Sequence, residues 1–374
     1  MIFRLPFLVF GSFVLSFSLV ALILRVSHRM AWYDRTGGRK IHDGNIPRLG
    51  GIGFVFSFII FFVIAGFRFE GIHFTFQFLP VAVAFVLILI SGVWDDFKPL
   101  APRYKLIFQT GAAFCVLLSG HVFDRFVYID RADFLSFSGW ELFRYSLTFL
   151  WIVGMTNAVN FIDGVDGLAG GVSLLAVLSF GGISVFLGAG GVTLLLCACL
   201  ASAILGFLVF NAPFPRAKIF MGDGGAYFLG FTLALLPLMG RGTGSGRLPI
   251  LYAAAILQIP ILDTTAAVWR RMREGRRIDS PDRAHTHHKL MNLGLSPRRI
   301  DAVLFTLQLC LGVLVYMAVK LPGYLSLVIL FLAYAVGIGF FSALHFLNRR
   351  ALRASVGGRI NVPWGAGVAQ SPGA

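Results

Sequence analysis

Residues 5–26 read LPFLVFGSFVLSFSLVALILRV, an apolar run whose only charge is Arg25. About 20 such residues, rising about 1.5 Å each as a helix, cross the hydrocarbon core of a bilayer. The run is too long for the core of a signal peptide, and Ser27-His28-Arg29-Met30 after it offers no small-residue cleavage site. It reads as an anchor. Ten further runs of the same kind follow: Gly50–Phe67, Phe78–Trp94, Tyr104–Gly120, Leu142–Thr156, Leu168–Leu187, Val192–Phe210, Gly225–Met239, Pro249–Trp269, Ala302–Val319 and Tyr324–Leu347. The fold class expected is an all-α polytopic membrane protein of about 11 transmembrane helices.

Composition agrees. Of 374 residues, 57% are hydrophobic and 13% charged, about half the ~25% charged share of soluble proteins. A soluble enzyme, a disordered chain and a secreted disulfide scaffold are excluded. The cysteines Cys115, Cys197, Cys199 and Cys310 lie in apolar stretches and read as packing residues, with no zinc or disulfide framework. The formal charge of +15 would point to nucleic acid in a soluble chain. Here most Lys and Arg fall on alternate loops, which is the positive-inside pattern, and no nucleic acid is required. The N-terminus is expected outside and the C-terminus in the cytoplasm. Residues 1–348 read as one transmembrane domain with cytoplasmic loops at 27–49, 95–103, 157–167, 211–224 and 270–301. The Gly-, Arg- and Pro-rich tail, 349–374, reads as disordered.

Those cytoplasmic loops carry the chemistry. Asp95-Asp96 is a pair of adjacent carboxylates, which repel and need a cation, a metal or a proton. Taken alone it reads more readily as a solvated helix end. Asn157, Asn160, Asp163 and Asp166 recur every three residues, a spacing that shares one helical face, in a segment without Lys or Arg. Oxygen-only donors with no internal cation favour Mg²⁺ or Mn²⁺, against the plainer reading of a polar interhelical network. Gly222-Asp223-Gly224-Gly225 sets one acid among glycines at a helix start, where backbone N–H groups can approach a phosphate; a plain Gly-rich turn looks the same. His285-Thr286-His287-His288 lacks ligands at zinc-finger spacing, and its basic surroundings favour contact with an anion over zinc. A transporter would keep such groups near the bilayer midplane, whereas these gather at helix ends, where a soluble charged substrate can meet a lipid one.

Together, Asp95-Asp96, Asn157-x-x-Asn160-x-x-Asp163-Gly-x-Asp166-Gly-Leu168, Phe220-Met-Gly-Asp223 and Ser280-Pro-Asp-Arg283-Ala-His285-Thr-His287-His288 resemble the polyprenyl-phosphate N-acetylhexosamine-1-phosphate transferases. The opening stretch from Asp34-Arg35 to Pro47-Arg48-x-Gly50-Gly51 agrees. The histidine tract resembles the bacterial branch that moves GlcNAc-1-phosphate from UDP-GlcNAc to undecaprenyl phosphate. The phospho-MurNAc-pentapeptide translocases instead carry three consecutive histidines and then an acid, where this chain has Thr286 and Lys289.

The resemblance implies that the lipid phosphate attacks the β-phosphorus of the nucleotide sugar, UMP leaves, and Mg²⁺ (or Mn²⁺) and fixed cations balance the charge. It implies Asp223 and Asn160 as metal ligands, Asp95 as base with Asp96 in support, and Lys105 on the pyrophosphate side. Phe220 would stack on uracil, with Asn157, Asp163 and Asp166 nearby for the nucleoside or sugar. Arg283, His285, His287 and His288 would contact the sugar phosphate. It implies a site on the cytoplasmic face of a bacterial inner membrane and is compatible with a homodimer. The alternatives are another UDP-HexNAc or UDP-MurNAc-pentapeptide as donor, a lipid or nucleotide-sugar transporter, and a non-catalytic scaffold. Asp263, inside an apolar run, has no role on this reading.

Overall fold

The computed structural model describes residues 5–33, 46–68, 78–128, 139–188, 191–212, 216–240, 247–280, 282 and 284–356. Among them every regular element is a helix. In chain order these are α1 (Leu5–Arg29), α2 (Gly50–Arg68), α3 (Leu79–Phe97), α4 (Pro102–Leu118), α5 (Trp140–Ile162), α6 (Leu168–Leu187) and α7 (Gly191–Asn211). Then follow α8 (Gly222–Leu235, continued by a 3-10 turn to Leu238), α9 (Ile250–Ile256), α10 (Gln258–Arg273), α11 (Thr286–Asn292), α12 (Pro297–Lys320) and α13 (Gly323–Val356).

Each expected span coincides with one of these helices or with a broken pair. Among the described residues eight helices are long and apolar enough to cross a membrane, or nine if the bent α9–α10 pair counts as one span. The circumference is apolar. Phe7, Phe10, Leu142 and Phe331 each expose more than half of their surface, an arrangement suited to lipid and costly in water. The protein is a multi-pass membrane protein. Helix α13 continues to Val356, past the expected start of the tail at 349; residues 357–374 lie outside the described residues.

Helix α8 is the axis of the bundle. Apart from Asp223 its residues are buried, and it packs against α2, α3 and α5. Small residues allow backbones to approach closely where lipid supplies no hydrophobic drive between helices. Gly224 crosses Gly92 of α3, and Gly225 crosses Gly51 of α2, so tightly that a Cβ on Gly92 or Gly51 would strike the opposing backbone. Farther along, Phe228 contacts Phe58 and Phe85 with ring centroids 5.4 and 5.5 Å apart.

The run Pro249–Trp269 is not one continuous rod. Helices α9 and α10 meet at 88°. Pro260 has no N–H, so the Ile256 carbonyl one turn earlier loses its helical partner. Gln308 of α12 fills that place, its Nε2 donating to the Ile256 carbonyl over 2.9 Å. The bend sends α10 against α5 and brings the buried Asp263 to the histidine tract.

Candidate active site at the helix ends

The approach to α8 is built from backbone. Phe220 N–H donates to the Pro47 carbonyl (2.8 Å), and Gly50 and Gly51 donate to the carbonyls of Phe220 (3.0 Å) and Met221 (2.8 Å). The Pro47-Arg48-x-Gly50-Gly51 motif thus clamps Phe220-Met221 beside the start of α2. Gly222 then turns with φ +74°, and a Cβ there would meet the Asp96 carboxylate. That carboxylate accepts from the Asp223 and Gly224 amides, at 2.7 and 3.0 Å. An anion on the first free amides of a helix caps them and opposes the helix dipole. The N–H groups that could have cradled a phosphate are therefore held by Asp96.

The Asp223 side chain is the hub. Lys105, in the first turn of α4, reaches Asp223 Oδ2 at 3.1 Å and Asp95 Oδ2 at 2.6 Å. Asn160 Nδ2 donates to Asp223 Oδ1 at 3.1 Å, and the Arg48 guanidinium lies 3.6 Å from the same oxygen. Asp95 also accepts from the Leu100 amide at 2.6 Å, which fixes the Pro99–Pro102 turn ahead of α4. The Tyr227 ring, one turn along α8, lies 5.7 Å from Lys105 Nζ.

The repeat of polar residues every three positions is not one helical face. Helix α5 stops at Ile162, and Gly167, with φ +81°, starts α6. Asn160 faces Asp223, while Asn157 turns to Gln109 in a reciprocal amide pair of 2.7 and 3.2 Å. Asp166 accepts from the Ala217 amide at 2.9 Å and ties this turn to the segment leading into α8. For Asp163, burial first and the Asp223 charge second push the carboxyl up to about 7, against the pull of Arg48.

No group of three His, Cys, Asp or Glu side chains poised around a metal occurs among the described residues. The donor chemistry nevertheless fits Mg²⁺, which takes one or two carboxylates and keeps its other positions for water and substrate phosphates. Asp223 and Asn160 supply oxygen donors, the Asn160 amide requiring only the end-for-end rotation that leaves its shape unchanged. Among the described residues, Asp95, Asp96, Asp163 and Asp223 are four acids around two cations, Arg48 and Lys105. That acidic surplus suits a divalent ion.

The histidine tract closes the other side. His285 precedes α11, and its ring sits between Phe161 (5.7 Å) and His287 (5.9 Å, interplanar 7°), with His288 4.3 Å beyond. Burial, followed by the neighbouring His288, lowers His287 to about 3, so this ring acts as a neutral donor and acceptor at neutral pH. Arg270 pairs with Asp282, and Arg271 stacks on Phe161 at 5.5 Å. Arg283 lies outside the described residues, as do Asp34, Arg35 and the remainder of 34–45. The tract meets the Asn157–Asp166 motif at Gly164, where an added Cβ would lie 2.5 Å from the His287 ring. Gly164→Ala should therefore displace the tract, lowering kcat/KM in a UMP-release assay by about 10- to 100-fold, as a misplacement of ~1 Å does.

The described parts of the five motif segments thus meet at one end of the bundle, around the N-terminal ends of α2, α4 and α8 and the C-terminal ends of α3 and α5. The spacing of motifs did not disclose the partners Gln109 and Tyr227. Arg48 was visible only as part of its motif.

A helical bundle with an apolar circumference and a cluster of acids and fixed cations at one end is a membrane protein with a candidate polar site at the helix ends. Residues 78–241 match Glycosyl transferase family 4. A Bacillus subtilis (strain 168) protein named as a probable undecaprenyl-phosphate N-acetylglucosaminyl 1-phosphate transferase is 35% identical over 83% of this chain and 84% of its own length. The Escherichia coli (strain K12) undecaprenyl-phosphate alpha-N-acetylglucosaminyl 1-phosphate transferase is 32% identical over 83% of both chains. Its Yersinia pestis namesake is 30% identical over 86% of this chain and 87% of its own. The chain belongs to glycosyl transferase family 4, on the bacterial branch these relatives represent.

Proposed function

We propose that the protein transfers GlcNAc-1-phosphate from UDP-GlcNAc to undecaprenyl phosphate, giving undecaprenyl-diphospho-GlcNAc and UMP. The observation that carries this reading is the convergence on Asp223 of Arg48, Lys105 and Asn160, with Asp95 sharing Lys105. Two anionic reactants must meet here, and fixed cations positioned in advance lower the cost of bringing their charges together. A phosphate monoester has its second pKa near ~6, so the lipid phosphate needs little base strength from Asp95 at neutral pH. Asp95, held by Lys105 and the Leu100 amide, takes the remaining proton. Lys105 and Arg48 face the pyrophosphate.

Asp223 and Asn160 would hold Mg²⁺ (or Mn²⁺), which when bound would neutralise phosphate charge. Phe220 and the turn carrying Asp163 and Asp166 receive the nucleoside, and His285, His287 and His288 contact the sugar phosphate through ring nitrogens. The eleven segments cross the bacterial inner membrane with the N-terminus outside, which puts the site in the cytoplasm beside UDP-GlcNAc. The product is the first lipid-linked intermediate of a cell-envelope glycan.

The test is incubation of the purified protein with undecaprenyl phosphate, Mg²⁺ and a panel of UDP-sugars, with UMP release as the readout. UDP-GlcNAc should be the best donor. UMP from no UDP-HexNAc would sink the reading, and preference for another UDP-HexNAc would revise the sugar alone.

A further inference from the structure

Asp263 is 2% exposed and lies on the bent half of the α9–α10 pair, and its hydrogen bonds go to His285 and Thr286. Its carboxylate is fully engaged there. Oδ2 lies 2.6 Å from His285 Nδ1, while Oδ1 accepts from the Thr286 backbone amide at 2.6 Å and from its hydroxyl at 2.5 Å. A backbone N–H can only donate, and an ionised carboxylate can only accept. His285 Nδ1 therefore carries a proton, and the pair resembles the carboxylate–imidazole arrangements that set the tautomer of a working histidine.

The consequence reaches along the tract. His285 lies in a column of rings running from Phe161 through His287 to His288, and His287 fills the space above Gly164. The histidine loop is also joined to α10 by the Arg270–Asp282 pair, by Arg271, which donates to the Ile278 carbonyl, and by the Arg276 amide, which donates to the Arg271 carbonyl. Those contacts hold the stretch before the tract. Among the described residues, Asp263 is what holds the first ring and the first amide of α11 together.

We infer that Asp263 is a positioning residue for the transfer reaction, fixing the His285 tautomer and docking Thr286 so that the ring column faces the donor's phosphates. This rests on the proposed function for its kinetic consequence, though not for its structural one.

Asp263→Asn tests it with almost no change in shape. The amide oxygen can still receive Thr286, but its NH₂ then faces His285 Nδ1, which must become the acceptor. In full-length protein labelled with ¹⁵N-histidine in lipid nanodiscs, the neutral His285 ring should change from the Nδ1–H to the Nε2–H form. Its signals are identified by their loss in His285→Gln. In the UMP assay the variant should raise KM for UDP-GlcNAc about tenfold or more and leave KM for undecaprenyl phosphate within twofold. Asp263→Asn combined with His285→Gln should be no worse than His285→Gln alone, because groups acting as one unit are not additive. Thr286→Val, which removes the hydroxyl and keeps the amide, should show a smaller change in the same KM. An unchanged tautomer would overturn the inference, and so would additive losses or equal rises in both KM values. No UMP from the wild-type protein, together with the tautomer change in Asp263→Asn, would instead refute the proposed function and leave the Asp263–His285 coupling standing.

Discussion

Asp223→Asn is expected to lower kcat about 10³-fold, since removing a single preorganised electrostatic group at a reacting centre costs about 10²–10³ and this carboxylate serves several partners. Lys105 Nζ and the Arg48 guanidinium both rest on it, as does the Asn160 amide. The substitution preserves shape but removes the charge, leaving two partly buried cations with less compensation. Lys105 retains Asp95 at 2.6 Å and will shift toward it, so the cation proposed to face the pyrophosphate moves as well as the proposed metal ligand. The loss should persist at saturating Mg²⁺, because a reorganised cation pair is not restored by mass action. A UMP-release titration across Mg²⁺ concentrations checks this. Recovery of full turnover at high Mg²⁺ would reduce Asp223 to a weak ligand with no hold on Lys105.

The helices were legible in the sequence because apolar runs of bilayer length leave the chain few other options, and their ends fell where charged motifs interrupted them. The break at Leu257 was not. Pro260 marks a weak point in the run Pro249–Trp269, but an 88° bend also requires Gln308, 52 residues away, to take up the Ile256 carbonyl. The same limit hid Asp263. A lone acid in an apolar run signals a buried partner without naming it, and the partner is supplied only when the chain returns at His285 and Thr286. The period-three pattern of Asn157 to Asp166 misled for a local reason. Asp163 and Asp166 sit beyond the end of α5, where the spacing no longer defines a face, so three of the four residues bond to three different neighbours: Asn157 to Gln109, Asn160 to Asp223 and Asp166 to Ala217. What the motifs did convey was convergence, since the described parts of the five segments meet at one end of the bundle.

The adjacent acids Asp95 and Asp96, alike in sequence, should behave differently when neutralised. Asp96 spans the first amides of α8, accepting from Asp223 and Gly224. An asparagine in its place offers one acceptor and one NH₂ group, so one α8 amide is left facing a donor. Gly222 packs against the same carboxylate closely enough that even a Cβ would collide with it, which leaves the new side chain little room to withdraw. A buried donor without an acceptor costs about 1–3 kcal/mol, and the loss of negative charge at the helix start adds to that. Asp96→Asn should therefore lower the thermal unfolding midpoint and, by displacing the first turn that carries Asp223, reduce kcat about 10²-fold, the cost of a ~1 Å error at a reacting centre. Asp95→Asn should reduce kcat while lowering the midpoint less. Its Lys105 partner keeps Asp223, and its remaining oxygen can still receive the Leu100 amide. Unfolding followed in nanodiscs alongside UMP release separates the two. Equal midpoints for the two variants would mean that Asp96 does not clamp α8 and that the start of this central helix is held by the Pro47–Gly51 backbone contacts alone.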